Sequence, residues 1–303
     1  MVDTSDEWIT ERTGIKERRI AAAHEATSDL STQAARQALE RAHLRPEDLD
    51  AIIVATCTPD HLIPSTACLV QKNLGIPAGI AFDVSAACSG FIYGLAVVNG
   101  LISTGVAKTV LLIGGDTLSR FTDWTDRGTC VLFGDGAGAV ILQREDEGPS
   151  HLLSVSLSAD GGKGDILEIP GGGSRHPMVD AAAVRAYPPV IKMDGKEVFK
   201  NAVTRMVEAA ESALTKAGLT PRDLTLLIPH QANLRIIDAV AKRVDIPDER
   251  VVRNVHKFGN MSAATTIIAL DQAVGEHRVK RGDKVELIAF GAGLTWGAAV
   301  IQW

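Results

Sequence analysis

Residues 80–98 of the chain, IAFDVSAACSGFIYGLAVV, decide the fold. An apolar run, Ile80–Val84, gives way to small residues and then to Phe91–Val98, which has the apolar density of a buried helix. This order predicts a strand, a tight turn and a helix, with Cys88 at the start of the helix. The first unpaired N–H groups of a helix and its dipole favour negative charge, and therefore thiolate over thiol. Cys88 is thus a candidate nucleophile.

Two polar stretches downstream supply candidate partners for this cysteine. They are Pro229-His230-Gln231-Ala232-Asn233 and Phe258-Gly259-Asn260. His230 follows the apolar run Leu224–Ile228, at the end of a predicted strand. Because sites in open α/β sheets gather at the carboxyl ends of strands, we expect His230 and Cys88 to lie close together.

An internal repeat indicates that the fold is built twice. Ala42–Val54 and Ala217–Ile228 both end a helical pattern, turn through Pro-x-Asp-Leu and enter an apolar strand. Phe133–Leu142 likewise resembles Phe290–Ile301. Helices that alternate with short β-branched runs are typical of an α/β fold with mostly parallel sheets. The repeat predicts two halves, residues 1–147 and 148–303, with a seam near residues 144–150.

The repeat also aligns the candidate catalytic residues. Laid over the first half, Val255–Ser262 falls on the turn that carries Cys88, so Cys88 and Asn260 are expected at related helix starts. The second half opens with a predicted strand, Leu152–Leu157, whereas the first half has no such run before its helix at about Ser28–Ala42. We therefore expect that an opening strand is absent from the first half.

Bulk composition excludes several classes of protein. With 303 residues, 46% hydrophobic and 22% charged, the chain has the composition of an ordinary soluble globular protein. The net charge of −6 disfavours nucleic acid and anionic membranes as partners. No apolar run reaches the roughly 18 residues that span a bilayer, and the acidic start Met1–Glu7 is unlike a signal peptide. Four cysteines make no disulfide framework, so we predict a cytoplasmic protein.

Together, the Cys88 turn, residues 229–235, Phe258-Gly259-Asn260 and Phe133–Ala139 resemble the β-ketoacyl-acyl-carrier-protein synthase III family of thiolase-fold condensing enzymes. The resemblance runs over nearly the whole chain. It implies two pseudo-duplicated βαβαβαββ halves in a five-layer αβαβα arrangement, with Cys88 in the first half and His230 and Asn260 in the second. Family members begin with an additional strand, which the resemblance places centrally in its sheet.

The resemblance also implies the reaction, a decarboxylative Claisen condensation that initiates fatty-acid synthesis. An acyl-CoA primer loads onto Cys88 and then joins malonyl-acyl-carrier protein, giving a β-ketoacyl-acyl-carrier protein. The Cys88 and Ala292 backbone N–H groups are expected to bind the first oxyanion, and His230 and Asn260 the second. No metal or organic cofactor is required, and the family forms homodimers.

Further residues take binding roles from the same resemblance. Trp8 and Arg127 match the pair that sandwiches the adenine of CoA, and Arg12 would meet its phosphates. Ile63 matches a position that reaches across a dimer interface to cap the primer pocket. A basic patch for the acidic carrier protein comprises Lys200, Arg235, Lys242 and Arg243.

Alternatives stay open at this point. A starter-unit loading enzyme or acyltransferase of a polyketide pathway would keep Cys88 and His230 without extending the chain. A non-catalytic paralogue would bind acyl-CoA only. Cys57, Cys68 and Cys130 are interpreted as packing residues, and the Gly- and Pro-rich residues 161–189 as a surface excursion without an assigned role.

Overall fold

The computed structural model describes residues 2–144 and 151–303. The helices are α1 Asp6–Thr13, α2 Thr27–Ala42, α3 Thr66–Leu74, α4 Gly90–Ser103, α5 Ala181–Ala186, α6 Gly195–Ala217, α7 Leu234–Val244, α8 Val255–Phe258 and α9 Ala264–Gly275. The strands are β1 Ala51–Ala55, β2 Ile80–Val84, β3 Thr109–Thr117, β4 Asp135–Gln143, β5 His151–Ala159, β6 Leu167–Glu168, β7 Lys192–Met193, β8 Leu226–Pro229, β9 Lys284–Gly291 and β10 Thr295–Gln302.

Two four-stranded sheets organise the chain. The first has the order β2-β1-β3-β4, with β1 parallel to both neighbours and β4 antiparallel to β3. The second has the order β5-β10-β9-β8, with β8 parallel to β9 and β10 antiparallel to it. The sequence predicts the seam near residues 144–150, of which residues 145–150 lie outside the described residues.

The sheets and helices form five layers. Strand residues alternate between faces, so Ile52 of β1 packs outward against α2 and α3, while Ile53 faces inward. The inward face packs on α4 and α9, which lie between the two sheets. The second sheet presents its outer face, including Leu227, to α6 and α7. The predicted αβαβα arrangement is confirmed.

The register of the sheets relates the two halves. Ala51 pairs with Val110 in the first sheet as Leu226 pairs with Val285 in the second. The spacing between these equivalent residues of the two halves also places Cys88 opposite Ala263. The turns that carry Cys88 and Asn260 therefore precede equivalent helices, α4 and α9. The other proposed repeat pair is wrong at its start. Phe290-Gly291 ends β9, whereas Phe133-Gly134 precedes β4.

The outer edge of β4 differs from that of its counterpart β10. The opening strand of the second half, β5, pairs with β10 at the edge of its sheet. The equivalent place in the first half is the edge beside β4, so the central position expected for an opening strand is wrong. Within residues 2–50 of the described chain there are helices and turns but no strand. A groove of about 220 Å³ runs beside β4 between α2 and α9.

Candidate active site

One cavity of about 670 Å³ brings the three candidate catalytic residues together. Cys88, His230 and Asn260 all line it, although they lie far apart in the sequence. Cys88 lies in the turn before α4, His230 directly after β8 and Asn260 in the turn before α9. The pseudo-duplicated topology therefore explains why the three stretches form one site.

Cys88 lies in a short 3-10 helix, Ala87–Ser89, that leads into α4. Ala87 has a φ of 45°, and the Ser89 hydroxyl donates to the Thr295 carbonyl at 2.9 Å. The end of β9 approaches so closely that a Cβ on Gly291 would lie 2.6 Å from the Cys88 nitrogen. These contacts fix the thiol at the base of the cavity.

The electrostatics of Cys88 differ from the expectation of an acidic thiol. Burial raises the pKa of Cys88 to about 12. The Ser262 hydroxyl and the backbone N–H lower that pKa, while the nearby Asp116 carboxylate raises it. Desolvation of the thiolate thus outweighs the stabilisation from the helix start, and the predicted net lowering is wrong.

Ala292 also lines the cavity, directly after Gly291. Its φ lies outside the left-handed region, so the Cβ is accommodated without strain. Its carbonyl accepts from the Thr295 hydroxyl at 3.0 Å, which holds the turn between β9 and β10. Ala292 therefore lines the same cavity as Cys88, one residue after the glycine that approaches the Cys88 nitrogen.

His230 follows β8 and is only 3% exposed. Its backbone N–H donates to the Ile288 carbonyl at 2.7 Å, and its Nδ1 lies 2.6 Å from the Thr265 hydroxyl. Burial lowers the pKa of His230 to about 3. The ring is therefore neutral at physiological pH and can donate one hydrogen bond without carrying a charge.

The rest of the His230 motif is structural. The buried Gln231 amide donates to the Pro229 and Val252 carbonyls, and its oxygen accepts from the Asn254 and Val255 N–H groups. Asn233 caps α7 by accepting from the Arg235 N–H at 2.9 Å. These bonds hold the segment after β8 rigid and so orient the imidazole.

Asn260 is held by both its backbone and its side chain. Its N–H donates to the Leu132 carbonyl, and its own carbonyl accepts from Gly134, each at 2.9 Å. Its side-chain oxygen accepts from the Ser262 N–H at 2.8 Å. Because the oxygen is used internally, the amide NH₂ remains to donate into the cavity.

Trp8, Arg12 and Arg127 all line the cavity wall. Each guanidinium carbon lies 4.8 Å from the centre of the Trp8 ring. An Arg127 N–H also donates to the Asp3 carbonyl at 3.1 Å. Because Arg127 already stacks on the indole, it has to move off the Trp8 ring before a planar base can lie between the two side chains.

The other predicted binding residues lie outside the cavity. The four basic residues Lys200, Arg235, Lys242 and Arg243 are exposed on the packed pair α6 and α7. Arg235 and Lys242 share one face of α7, seven residues apart. Ile63 is 87% exposed and contributes nothing to the cavity of its own chain.

Residues 161–189 do more than the sequence indicated. Gly164, Leu167 and Ile169 line the cavity, as do Ile191 and Met193 just beyond. The two-stranded β6–β7 sheet holds this wall in place. Alternating small and apolar residues gave no sign of this role, which depends on long-range packing.

Sequence reasoning missed a buried polar cluster beneath Cys88. The fully buried Asp116 carboxylate accepts hydrogen bonds from the cluster's hydroxyl and backbone donors at 2.8–3.3 Å: Thr56 Oγ1, Cys57 N, Thr58 N and Oγ1, and Ala263 N. Cys57, interpreted as a packing residue, lines the cavity, and its sulfur lies 3.7 Å from the Ser262 hydroxyl. The signal was the pair of Thr residues that flank Cys57.

Known proteins resemble this chain in sequence. Residues 82–161 match the family 3-oxoacyl-[acyl-carrier-protein] synthase III. Residues 214–303 match the C-terminal family of the same synthase. A β-ketoacyl-[acyl-carrier-protein] synthase III of Caldanaerobacter subterraneus subsp. tengcongensis is 54% identical over 100% of this chain and 91% of its own. The chain belongs to the β-ketoacyl-[acyl-carrier-protein] synthase III family.

Solved structures of synthase III agree with the fold described above. The enzyme of Thermus thermophilus superposes with a TM-score of 0.93 at 48% identity, covering 100% of this chain and 92% of its own. The priming β-ketosynthase of the R1128 polyketide pathway superposes with a TM-score of 0.91 at 35% identity, covering 99% of this chain and 89% of its own.

The described chain lacks both a metal-binding cluster and a membrane-spanning helix. Among the described residues, no cluster of His, Cys, Asp or Glu side chains is arranged to hold a metal ion. No helix in the described part of the chain has the length and apolar character needed to cross a membrane.

Proposed function

We propose that the protein condenses an acyl-CoA primer with malonyl-acyl-carrier protein, releasing carbon dioxide and initiating fatty-acid synthesis. Cys88, His230 and Asn260 carry the chemistry. The observation that supports this most is the Asn260 amide, whose oxygen accepts from the Ser262 N–H, which leaves the NH₂ as the available donor of a side chain that lines the same cavity as His230. Two neutral donors suit an enolate oxyanion.

In the first half-reaction, Cys88 sulfur attacks the acyl-CoA thioester and CoA leaves as its thiol, so the proton lost from Cys88 is balanced by the one gained by CoA. Covalent storage of the acyl group divides one difficult step into two. The backbone N–H groups of Cys88 and Ala292 stabilise the tetrahedral oxyanion. The close approach of Gly291 to the Cys88 nitrogen supports this pairing.

In the second half-reaction, the malonyl carboxylate leaves as carbon dioxide and its bonding electrons form an enolate. His230 Nε2–H and the Asn260 amide donate to the enolate oxygen. The enolate carbon then attacks the acyl-Cys88 carbonyl, and Cys88 sulfur leaves and takes up a proton. Among the described residues that line the cavity, the one carboxylate is the exposed Glu168, so no buried carboxylate is provided for direct deprotonation of the donor.

Residues of the cavity wall and of the neighbouring surface bind the two substrates. Trp8 and Arg127 stack on the adenine of CoA, and Arg12 binds its phosphates. Lys200 and Arg235 lie near Phe199 and Ile236, which line the cavity, so these two cations receive the acidic carrier protein first. Lys242 and Arg243 extend the basic patch toward the far end of α7.

The protein acts in the cytoplasm as a homodimer. β2 forms an edge of the first sheet, and no further strand of the described chain pairs with it. Leu62 and Ile63 are 84% and 87% exposed. An open strand edge and exposed large apolar side chains suit a second copy of the chain, against which Ile63 caps the partner's primer pocket.

Carbon dioxide release from radiolabelled malonyl-acyl-carrier protein, with an acyl-CoA primer, tests this function. We expect release that depends on the primer. Acylation of Cys88 without any release would instead indicate a starter-loading enzyme or acyltransferase. Absence of an acyl adduct on Cys88 in intact-mass measurements would indicate a non-catalytic acyl-CoA-binding protein.

A further inference from the structure

His230 must place its single ring proton on the correct nitrogen. A neutral imidazole carries one N–H and one bare nitrogen, and a hydrogen bond to one nitrogen sets the role of the other. The proposed condensation, on which this inference rests, needs the proton on Nε2, because that atom faces the substrate. The structure holds the opposite atom, Nδ1, 2.6 Å from the Thr265 hydroxyl.

Thr265 is placed to donate that bond. It is fully buried in the first turn of α9, one turn beyond the Asn260 segment. Its hydroxyl has two acceptors within reach, Nδ1 of His230 at 2.6 Å and the Ser262 carbonyl at 3.1 Å. The Ser262 carbonyl already accepts from the Thr265 backbone N–H at 3.2 Å. That carbonyl has a second lone pair, so Nδ1 and the Ser262 carbonyl compete for the hydroxyl proton, and the contact to Nδ1 is the shorter by 0.5 Å.

We propose that Thr265 is a positioning residue that fixes the tautomer of His230. Its hydroxyl donates to Nδ1, which leaves Nδ1 without a proton and keeps the ring proton on Nε2. In this form His230 donates to the enolate oxygen together with the Asn260 amide. Thr265 thereby couples the first turn of α9 to the condensation step, while acyl transfer to Cys88 does not depend on it.

A neighbouring threonine provides a matched control. Thr266 is equally buried in the same turn of α9, but its hydroxyl has no hydrogen-bond partner. Thr265→Val and Thr266→Val thus remove the same atom from the same helix, and only the first breaks a contact with His230. Thr265→Ser keeps the hydroxyl and serves as the conservative variant.

The kinetic test separates the two half-reactions. Losing one hydrogen bond in the transition state corresponds to about a tenfold loss of rate. We expect Thr265→Val to lower the condensation rate by about tenfold, with acylation of Cys88 changed less than about twofold. Thr265→Ser should restore most of the rate, and Thr266→Val should condense normally. Equal losses in Thr265→Val and Thr266→Val would overturn the proposal, since packing alone would then explain them.

A spectroscopic measurement on the unaltered protein decides the tautomer directly. In protein labelled with ¹⁵N-histidine, the His230 signals are those that disappear in His230→Gln. We expect a bare Nδ1 and a protonated Nε2. A protonated Nδ1 would overturn the inference even if carbon dioxide is released normally. Failure of carbon dioxide release with the expected tautomer would refute the proposed reaction and leave the assignment of Thr265 intact.

Discussion

At the residue scale, the thiol of Cys88 poses the main electrostatic question. Burial raises its pKa to about 12, so the thiol stays protonated through the neutral range when no substrate is bound. The Ser262 hydroxyl opposes that shift, and the Asp116 carboxylate adds to it. The nucleophilicity of Cys88 therefore depends on a few buried polar groups, among which Ser262 stabilises the thiolate.

Ser262→Ala tests this balance. Because the variant loses the hydroxyl that lowers the Cys88 pKa, the thiolate fraction at any pH below about 12 falls. We expect alkylation of Cys88 by iodoacetamide to slow by roughly tenfold, the factor that one pKa unit represents. In both proteins the rate should climb with pH from 7 to 9 without a plateau.

Peptide mass spectrometry distinguishes Cys88 from the neighbouring Cys57 in this experiment. Ser31→Ala is the matched control, because Ser31 is also a buried serine but its hydroxyl has no partner. Alkylation that is unchanged or faster in Ser262→Ala would contradict the role assigned to its hydroxyl.

Cys88 and Asn260 are expected to separate the half-reactions. Cys88→Ala removes the nucleophile, so intact-mass measurements should detect no acyl adduct at that position. Asn260→Ala removes an oxyanion donor, so acylation should persist while condensation falls by roughly 10²–10³-fold. Similar losses of both half-reactions in Asn260→Ala would disagree with its assignment to the second one.

The sequence predicted these principal residues but not their supports. Cys88, His230 and Asn260 each lie in a local motif next to a predicted strand or helix. Thr265, Ser262 and Asp116 are ordinary polar residues whose importance comes from contacts with distant segments. No local pattern could reveal that the Asp116 carboxylate accepts from the Ala263 N–H.

At the scale of single elements, β9 combines a functional end with a buried carboxyl group. Gly291 at its end approaches Cys88, whereas Glu286 near its start is 0% exposed and neither carboxyl oxygen has a hydrogen-bond partner. Glu286 shares a face of β9 with Ile288 and Phe290, which pack under α6 and α7. Burial raises its pKa well above the usual range.

Glu286→Gln should therefore change the pH dependence of stability. The folded protein retains the Glu286 proton at pH values where the unfolded chain has released it. The free energy of unfolding consequently falls as pH rises above about 4.3, the ordinary Glu pKa. Removing the ionisable group should raise the melting temperature at pH 7.5 by roughly 2–4 °C or more, if the gain is on the order of 1 kcal/mol.

The comparison at pH 4 provides the internal reference, because there the unfolded chain also keeps most of the Glu286 proton and the gain should shrink. Glu40→Gln, on the exposed face of α2, is the matched control because it makes the same substitution without burial. A gain for Glu286→Gln that is the same at pH 4 and pH 7.5 would show that ionisation is not its cause.

At the scale of the whole molecule, the repeat in the sequence was a sound guide to the layers. Alternating helices and β-branched strands predicted both sheets, since each needs apolar faces on two sides. Residues 161–193 were beyond such reasoning. Their short strands β6 and β7 have little pattern of their own and are positioned by packing on the cavity.

The proposed homodimer carries the last prediction. Ile63 lines no part of its own cavity and is 87% exposed beside the open edge formed by β2. If it caps the partner's primer pocket, enlarging it should shorten the primers that the enzyme accepts. We expect Ile63→Phe to lower kcat/KM for longer acyl-CoA primers by about tenfold or more relative to acetyl-CoA, a steric cost of ~1.4 kcal/mol or more.

A charge at the same position tests the interface itself. Leu62→Asp with Ile63→Asp places two carboxylates in an apolar contact, so light scattering should show a shift from the dimer mass toward the monomer mass. Val106→Asp, at another exposed apolar residue, should leave the mass unchanged. A chain that is monomeric before any substitution, or an Ile63→Phe variant with an unchanged primer profile, would remove Ile63 from the primer pocket. The pocket would then have to be closed by residues of the same chain, with Leu118, Phe133 and Ile191 as the apolar cluster at the cavity wall.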